Sequence, residues 1–166
     1  MKGFLVFAGA LAITVAAVAL AAETQVSEES VRSAIESFLQ NPAAAAESEL
    51  TIAQFMEKND AVHIFIDLNG YCSWLRADKE YDHKTTLMIA FTTGNIRSQL
   101  DSGVCRDDPY SGLLTVFRVY RHLKKANPEW TIPEIENLLE LHRQGKLMEH
   151  LAKEKSRAAE EKKPQN

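Results

Sequence analysis

TTLMIAFTTGNIRSQLDSGVCRDDPYSGLLTVFRVYRHLKKANP, residues 85–128, is the stretch whose reading decides the fold. Its second half is the plainer one. Asp107, Asp108 and Pro109 open a helix: an aspartate accepts from free backbone N–H groups, and proline at the first helical position gives up a donor that had no partner. Leu113, Val116, Phe117, Tyr120 and Leu123 then recur at helical spacing as one apolar stripe, with Arg118, Arg121, Lys124 and Lys125 on the other faces. Lys124 and Lys125 complement the dipole in the last turn, and Pro128 prevents continuation. In the first half, the run Leu87, Met88, Ile89, Ala90 and Phe91 predicts a helix buried on several sides, and Ile96 and Leu100 resume the period. Gly94 costs a helix roughly 1 kcal/mol relative to alanine, so a kink or a close backbone approach by a neighbour is expected there.

Outward from this pair, Ser27 caps a short helix with Glu28 and Glu29 in its first turn and Val31, Ala34, Ile35, Phe38 and Leu39 on one face. Asn41 and Pro42 end it and serve as cap and first residue of a second helix to Lys58, with Leu50, Ala53 and Met56 inward. Residues 62–76 read either as a helix that is apolar nearly all round and built of mediocre helix formers or, in the better fit, as a β-hairpin. Asn69-Gly70 is the favoured type I′ turn, Val62, Ile64, Ile66 and Leu68 share one face, and Phe65 pairs with Trp74 on the other. Downstream, Thr131-Ile132-Pro133-Glu134 is a capping box. It opens a helix with Ile135, Leu138, Leu139 and His142 inward, which Gly145 ends or bends. Leu147, Met148 and Leu151 are the last apolar anchors. The expected fold is therefore mainly α: a small bundle of about five helices with one short β-hairpin packed on it.

At 166 residues and 45% hydrophobic composition the chain suits one domain with a real core, and a formal net charge of −4 gives no reason to expect nucleic acid. Residues 1–21 read as a secretory signal peptide: Lys2 is the positive n-region, an apolar run from Phe4 to Leu20 follows, and Ala19-Leu20-Ala21 fits the cleavage site. Residues 22–151 form the single helical domain, and 152–166 a charged C-terminal tail, a solvated helix or a disordered segment. Contact with a membrane is expected only through an uncleaved leader, so the localisation is periplasmic or secreted. In an oxidising compartment Cys72 and Cys105 are expected to form a disulfide.

Candidate chemistry is sparse. His142 and His150 could share a helix face if Gly145 does not break it, but the spacing lacks the paired-histidine motif with an intervening glutamate. Asp78, Glu80, Asp82 and His83 are acidic enough for calcium but lack the ordered ligand spacing of an EF-hand. Ser73, Ser98, Ser102 and Ser111 have no nucleophile-elbow context. Arg118, Tyr120, Arg121, His122, Lys124 and Lys125 mix basic and aromatic residues, but the tyrosine belongs to the core stripe. No catalytic residue, metal ligand or cofactor site is assigned on this basis. A scattered enzyme site would have to assemble from His63, Asp67 and His83, and an amphiphile carrier would need a closed apolar cavity.

From Phe65 to Leu139 the chain resembles the small periplasmic immunity proteins and the periplasmic acid chaperones of similar size. The leader, the two cysteines, the helical core and the run from Cys105 to Tyr120 leading into KKANPEW underlie the likeness. No binding residue of either group has a position-by-position match. Export without a catalytic constellation leads to the expectation of a small helical binding or interaction protein, whose partner is another protein or a small ligand.

Overall fold

The two central helices meet through glycine. A Cβ on Gly94 would stand 2.3 Å from the Ser111 carbonyl oxygen, and one on Gly112 would stand 2.7 Å from the Phe91 ring. Of the two outcomes expected at Gly94, the structure has the close approach: the first helix of the pair runs unbroken. The coordinates are a computed structural model that describes residues 25–161, so the leader at 1–21 lies outside the described residues.

Among these residues every regular element is a helix. In order come α1 (Glu28–Gln40), α2 (Ala46–Lys58), α3 (Lys84–Ser102), α4 (Pro109–Lys124), α5 (Pro133–Arg143) and α6 (Leu147–Glu161), with 3-10 turns at Pro42–Ala44 and Ser73–Leu75. Helix α3 is the hub, with Leu87, Ile89, Ala90, Phe91, Ile96 and Gln99 buried around its circumference. On α4 the expected stripe is buried, the Asp108 side chain accepts from the Ser111 N–H, and Pro109 is the first residue. Helix α1 likewise follows its pattern: Ser27 accepts from Ser30, and Val31, Ala34, Ile35, Phe38 and Leu39 are buried.

Two local expectations need correction. Helix α2 starts four residues late, because Pro42–Ala44 closes as a separate 3-10 turn whose tighter winding resets the helical phase. Its buried residues are Ile52 and Phe55, while Leu50 is 59% exposed. The capping box at α5 does not form. Ile132 is the cap residue, its N–H donates to the Tyr120 hydroxyl at 3.2 Å, and Glu134 turns away to Lys79 at 2.8 Å. Of the two forms expected for the charged tail, residues 152–161 take the helical one, continuing α6 to Glu161, and Arg157 reaches Asp67 at 3.4 Å.

The hairpin at 62–76 is the largest correction. The alternation is real, since Val62, Ile64 and Ile66 turn inward while His63 and Phe65 face out. No second strand answers it. The Gln99 side chain takes that place: the His63 N–H donates to Gln99 Oε1 at 2.8 Å, and Gln99 Nε2 donates to the His63 carbonyl at 2.8 Å. The Phe65 N–H donates to Asp107 Oδ1 at 3.0 Å. A type I′ turn needs positive φ at both central residues, and neither Asn69 nor Gly70 has it. Asp67 organises the reversal instead, its carbonyl accepting from the Gly70 and Cys72 N–H groups and its carboxylate from Asn69. Trp74 consequently drops into the core, with its indole N–H donating to the Tyr71 carbonyl at 3.1 Å, and does not pair with Phe65.

Candidate groove site

An open groove of about 830 Å³ runs between the irregular segment at 63–71, the 104–110 connection and the outer face of α6. Helix α6 forms one wall and is held at both ends, by its first turns in the core and by Arg157 on Asp67 at 3.4 Å. Gly145, at φ +70°, ends α5, and Leu147 and Leu151 anchor the first turns of α6 in the core. Met148 on the near wall is 59% exposed, and Phe65 and Val104 opposite are 37% and 50% exposed. Contiguous exposed apolar side chains of this kind mark binding surfaces more often than isolated ones do.

The polar groups beneath are satisfied internally. Asn95 Nδ2 donates to Asp107 Oδ1 at 2.6 Å, Gln99 Nε2 donates to Asn95 Oδ1 at 2.6 Å, and the Asp108 N–H donates to the same Asn95 oxygen at 3.1 Å. Asp108 accepts from Ser98 at 2.5 Å and from both the N–H and the hydroxyl of Ser111. Partial burial pulls the Asp108 pKa up, but the hydrogen bonds from Ser98, Ser111 and Tyr110 outweigh it and hold the carboxyl below its ordinary value. The Tyr71 hydroxyl donates to the Phe65 carbonyl at 3.2 Å; burial pushes its pKa up, with Asp107, Cys72 and Asp67 adding to the rise. This network locks the floor of the groove.

The disulfide is not made. Both cysteines are free thiols: Cys72 is buried beneath the Asp67 turn, and Cys105 is exposed on the groove rim with Sγ 3.7 Å from the Asp60 carbonyl. The physical reason is the turn itself, which holds the Cys72 N–H on the Asp67 carbonyl at 2.9 Å and points the thiol into the core. Burial, with Asp67 and Asp107 nearby, pushes the Cys72 thiol up.

His63 and Asp67 both line the groove, but His83 does not join them. It sits at the start of α3 with φ 62°, its ring edge-on to Trp130 at 5.6 Å. His142 and His150 fall on different helices, and the His142 ring packs against Phe117 at 5.7 Å. Asp78 pairs with Arg76, and among the described residues no group of three or more His, Cys, Asp or Glu side chains is placed to hold a metal. Tyr120 is buried and donates to Glu136 at 2.8 Å, so the basic residues of α4 do not flank an open aromatic platform. The groove also opens to solvent, unlike the closed chamber expected of a carrier.

Sequence reasoning missed the groove residues Val104 and Met148 as a surface, and Asn95 and Gln99 as a network. Asn95 and Gln99 stand four residues apart inside a mostly buried helix, a spacing that puts two amides on one face. No protein-family model matches this sequence, and no curated protein or solved structure is significantly similar to it.

Proposed function

We propose that this chain is an exported, non-enzymatic binding protein that engages its partner through the groove between Phe65, Val104 and Met148. The observation behind this reading is the juxtaposition of three solvent-exposed apolar side chains from three separate segments over a floor whose polar groups are already hydrogen-bonded to one another. Such a site offers apolar contact and shape, and leaves few groups free to act on a bond. The amino-terminal apolar run supports export to the periplasm or beyond.

Affinity capture from periplasmic extract with the wild-type chain and a Val104→Asp/Met148→Glu variant tests this. A partner retained by the wild type and lost by the variant is expected. A turnover signal in a hydrolase panel that survives repurification would overturn the reading.

A further inference from the structure

We infer that the outer edge of residues 62–66 takes up an extended peptide segment of a partner protein as an added β-strand, with one apolar side chain of that segment in the hollow beside Ile66. The two edges of residues 62–66 differ. His63 gives both its N–H and its carbonyl to the Gln99 side chain, at 2.8 Å each, and Phe65 gives its N–H to Asp107 and its carbonyl to the Tyr71 hydroxyl. A single amide side chain meets both main-chain groups of one residue when they lie on the same edge, as in an extended strand, and the alternating exposure of residues 62–66 has the same period. The N–H and carbonyl groups of Val62, Ile64 and Ile66 therefore point to the opposite edge. Among the described residues none of these groups has a hydrogen-bond partner. Main-chain groups buried without a partner are rare, and all three residues are only half-buried, so this edge faces solvent.

What fits such an edge is another main chain. Donors and acceptors that repeat every second residue, about 6.8 Å apart, match the ladder of an extended peptide. Residues 62–66 carry no proline, glycine, carboxylate, lysine or arginine to block that pairing. An added strand turns every second side chain to the side that Ile64 and Ile66 face. There a shallow hollow of about 380 Å³ is lined by Ile66, Leu68, Leu75 and Met88, with Leu68 44% exposed. A second copy pairing through the same edge would keep its own Val62, Ile64 and Ile66 in its own core, whereas a foreign segment brings a free apolar side chain for the hollow. The hollow shares no lining residue with the groove, so this surface is additional to it.

Amide exchange followed by NMR is the test. In the free chain the Ile64 and Ile66 amides should exchange about tenfold faster, or more, than those of His63 and Phe65. The probe is a capped seven-residue peptide that alternates threonine and valine around a central leucine. At saturation it should slow Ile64 and Ile66 about tenfold, and the same peptide N-methylated throughout should slow neither. Leu68→Glu/Met88→Glu should weaken the peptide about tenfold with circular dichroism unchanged. Ile64 and Ile66 amides already protected in the free chain, or not slowed by the peptide, overturn the inference. Protection that rises with protein concentration alone gives the edge to a second copy and overturns it as well. Protection by the peptide that persists in Val104→Asp/Met148→Glu supports the inference whether or not that variant still captures a partner through the groove.

Discussion

The carbonyl oxygen of Ser111 stands where a side chain on Gly94 would begin, 2.3 Å from the position of its Cβ. This contact sets how near α4 lies to α3, and thereby places Asp107 and Asp108, which precede α4, over Asn95 and Gln99. The geometry of the groove floor follows from a missing methyl group.

Gly94→Ala should therefore destabilise the fold even though alanine is the better helix former. The helix gains about 1 kcal/mol of propensity, but a backbone carbonyl cannot swing aside as a side chain can. A net loss of about 2 kcal/mol, with Tm lower by roughly 6–10 °C, is expected from thermal and urea denaturation. Gly112→Ala, whose Cβ meets the buried Phe91 ring at 2.7 Å and a backbone carbonyl only at 3.0 Å, should lose less.

Gln99→Leu removes the only side chain that pairs with both backbone groups of His63 among the described residues. Leaving a part-buried N–H and carbonyl without partners costs about 1–3 kcal/mol. The specific readout is amide hydrogen exchange: protection at His63 and Phe65 should fall well before protection in α4. Unchanged exchange at His63 would show that the segment holds its place without Gln99.

Acid should weaken the fold through Asp108. Its carboxyl ionises at lower pH folded than unfolded, so its contribution is present above an unfolded pKa of about 4 and is lost as pH falls through the folded value below that. The urea midpoint should drop between pH 5 and pH 2.5, and Asp108→Asn should drop less. Some slope remains in that variant, because Lys124 likewise holds Glu136, and Lys79 holds Glu134, below the ordinary range.

The two thiols should react unequally. Iodoacetamide on the native chain should add one carbamidomethyl group, at Cys105, and a second only after denaturation exposes Cys72. Intact mass with and without reductant reads this directly. No modification before reduction would mean that the two sulfurs are bridged.

Helices α1 and α4 were legible because capping residue, apolar stripe and stop signal agreed, at Ser27 and Phe38 in one and at Asp108, Phe117 and Pro128 in the other. The segment at 62–76 misled for a physical reason. Its alternation reports that Val62, Ile64 and Ile66 face the core, and that is correct; it does not report what satisfies the backbone. A strand was the ordinary supplier, and Gln99 and Asp107, thirty-six and forty-two residues away, supply it here. The groove was hidden for a related reason. Phe65, Val104 and Met148 belong to three segments with no common period, so only the tertiary fold brings them to one surface.

The claim that this chain works by contact through the groove is tested most directly by methyl NMR of the purified chain titrated with the captured partner. The account predicts that the Met148 and Val104 methyl resonances shift first and saturate together, with the Phe65 ring. Perturbations confined to Leu50, Leu68 and Met88, away from the groove, with Met148 and Val104 unmoved, would contradict it.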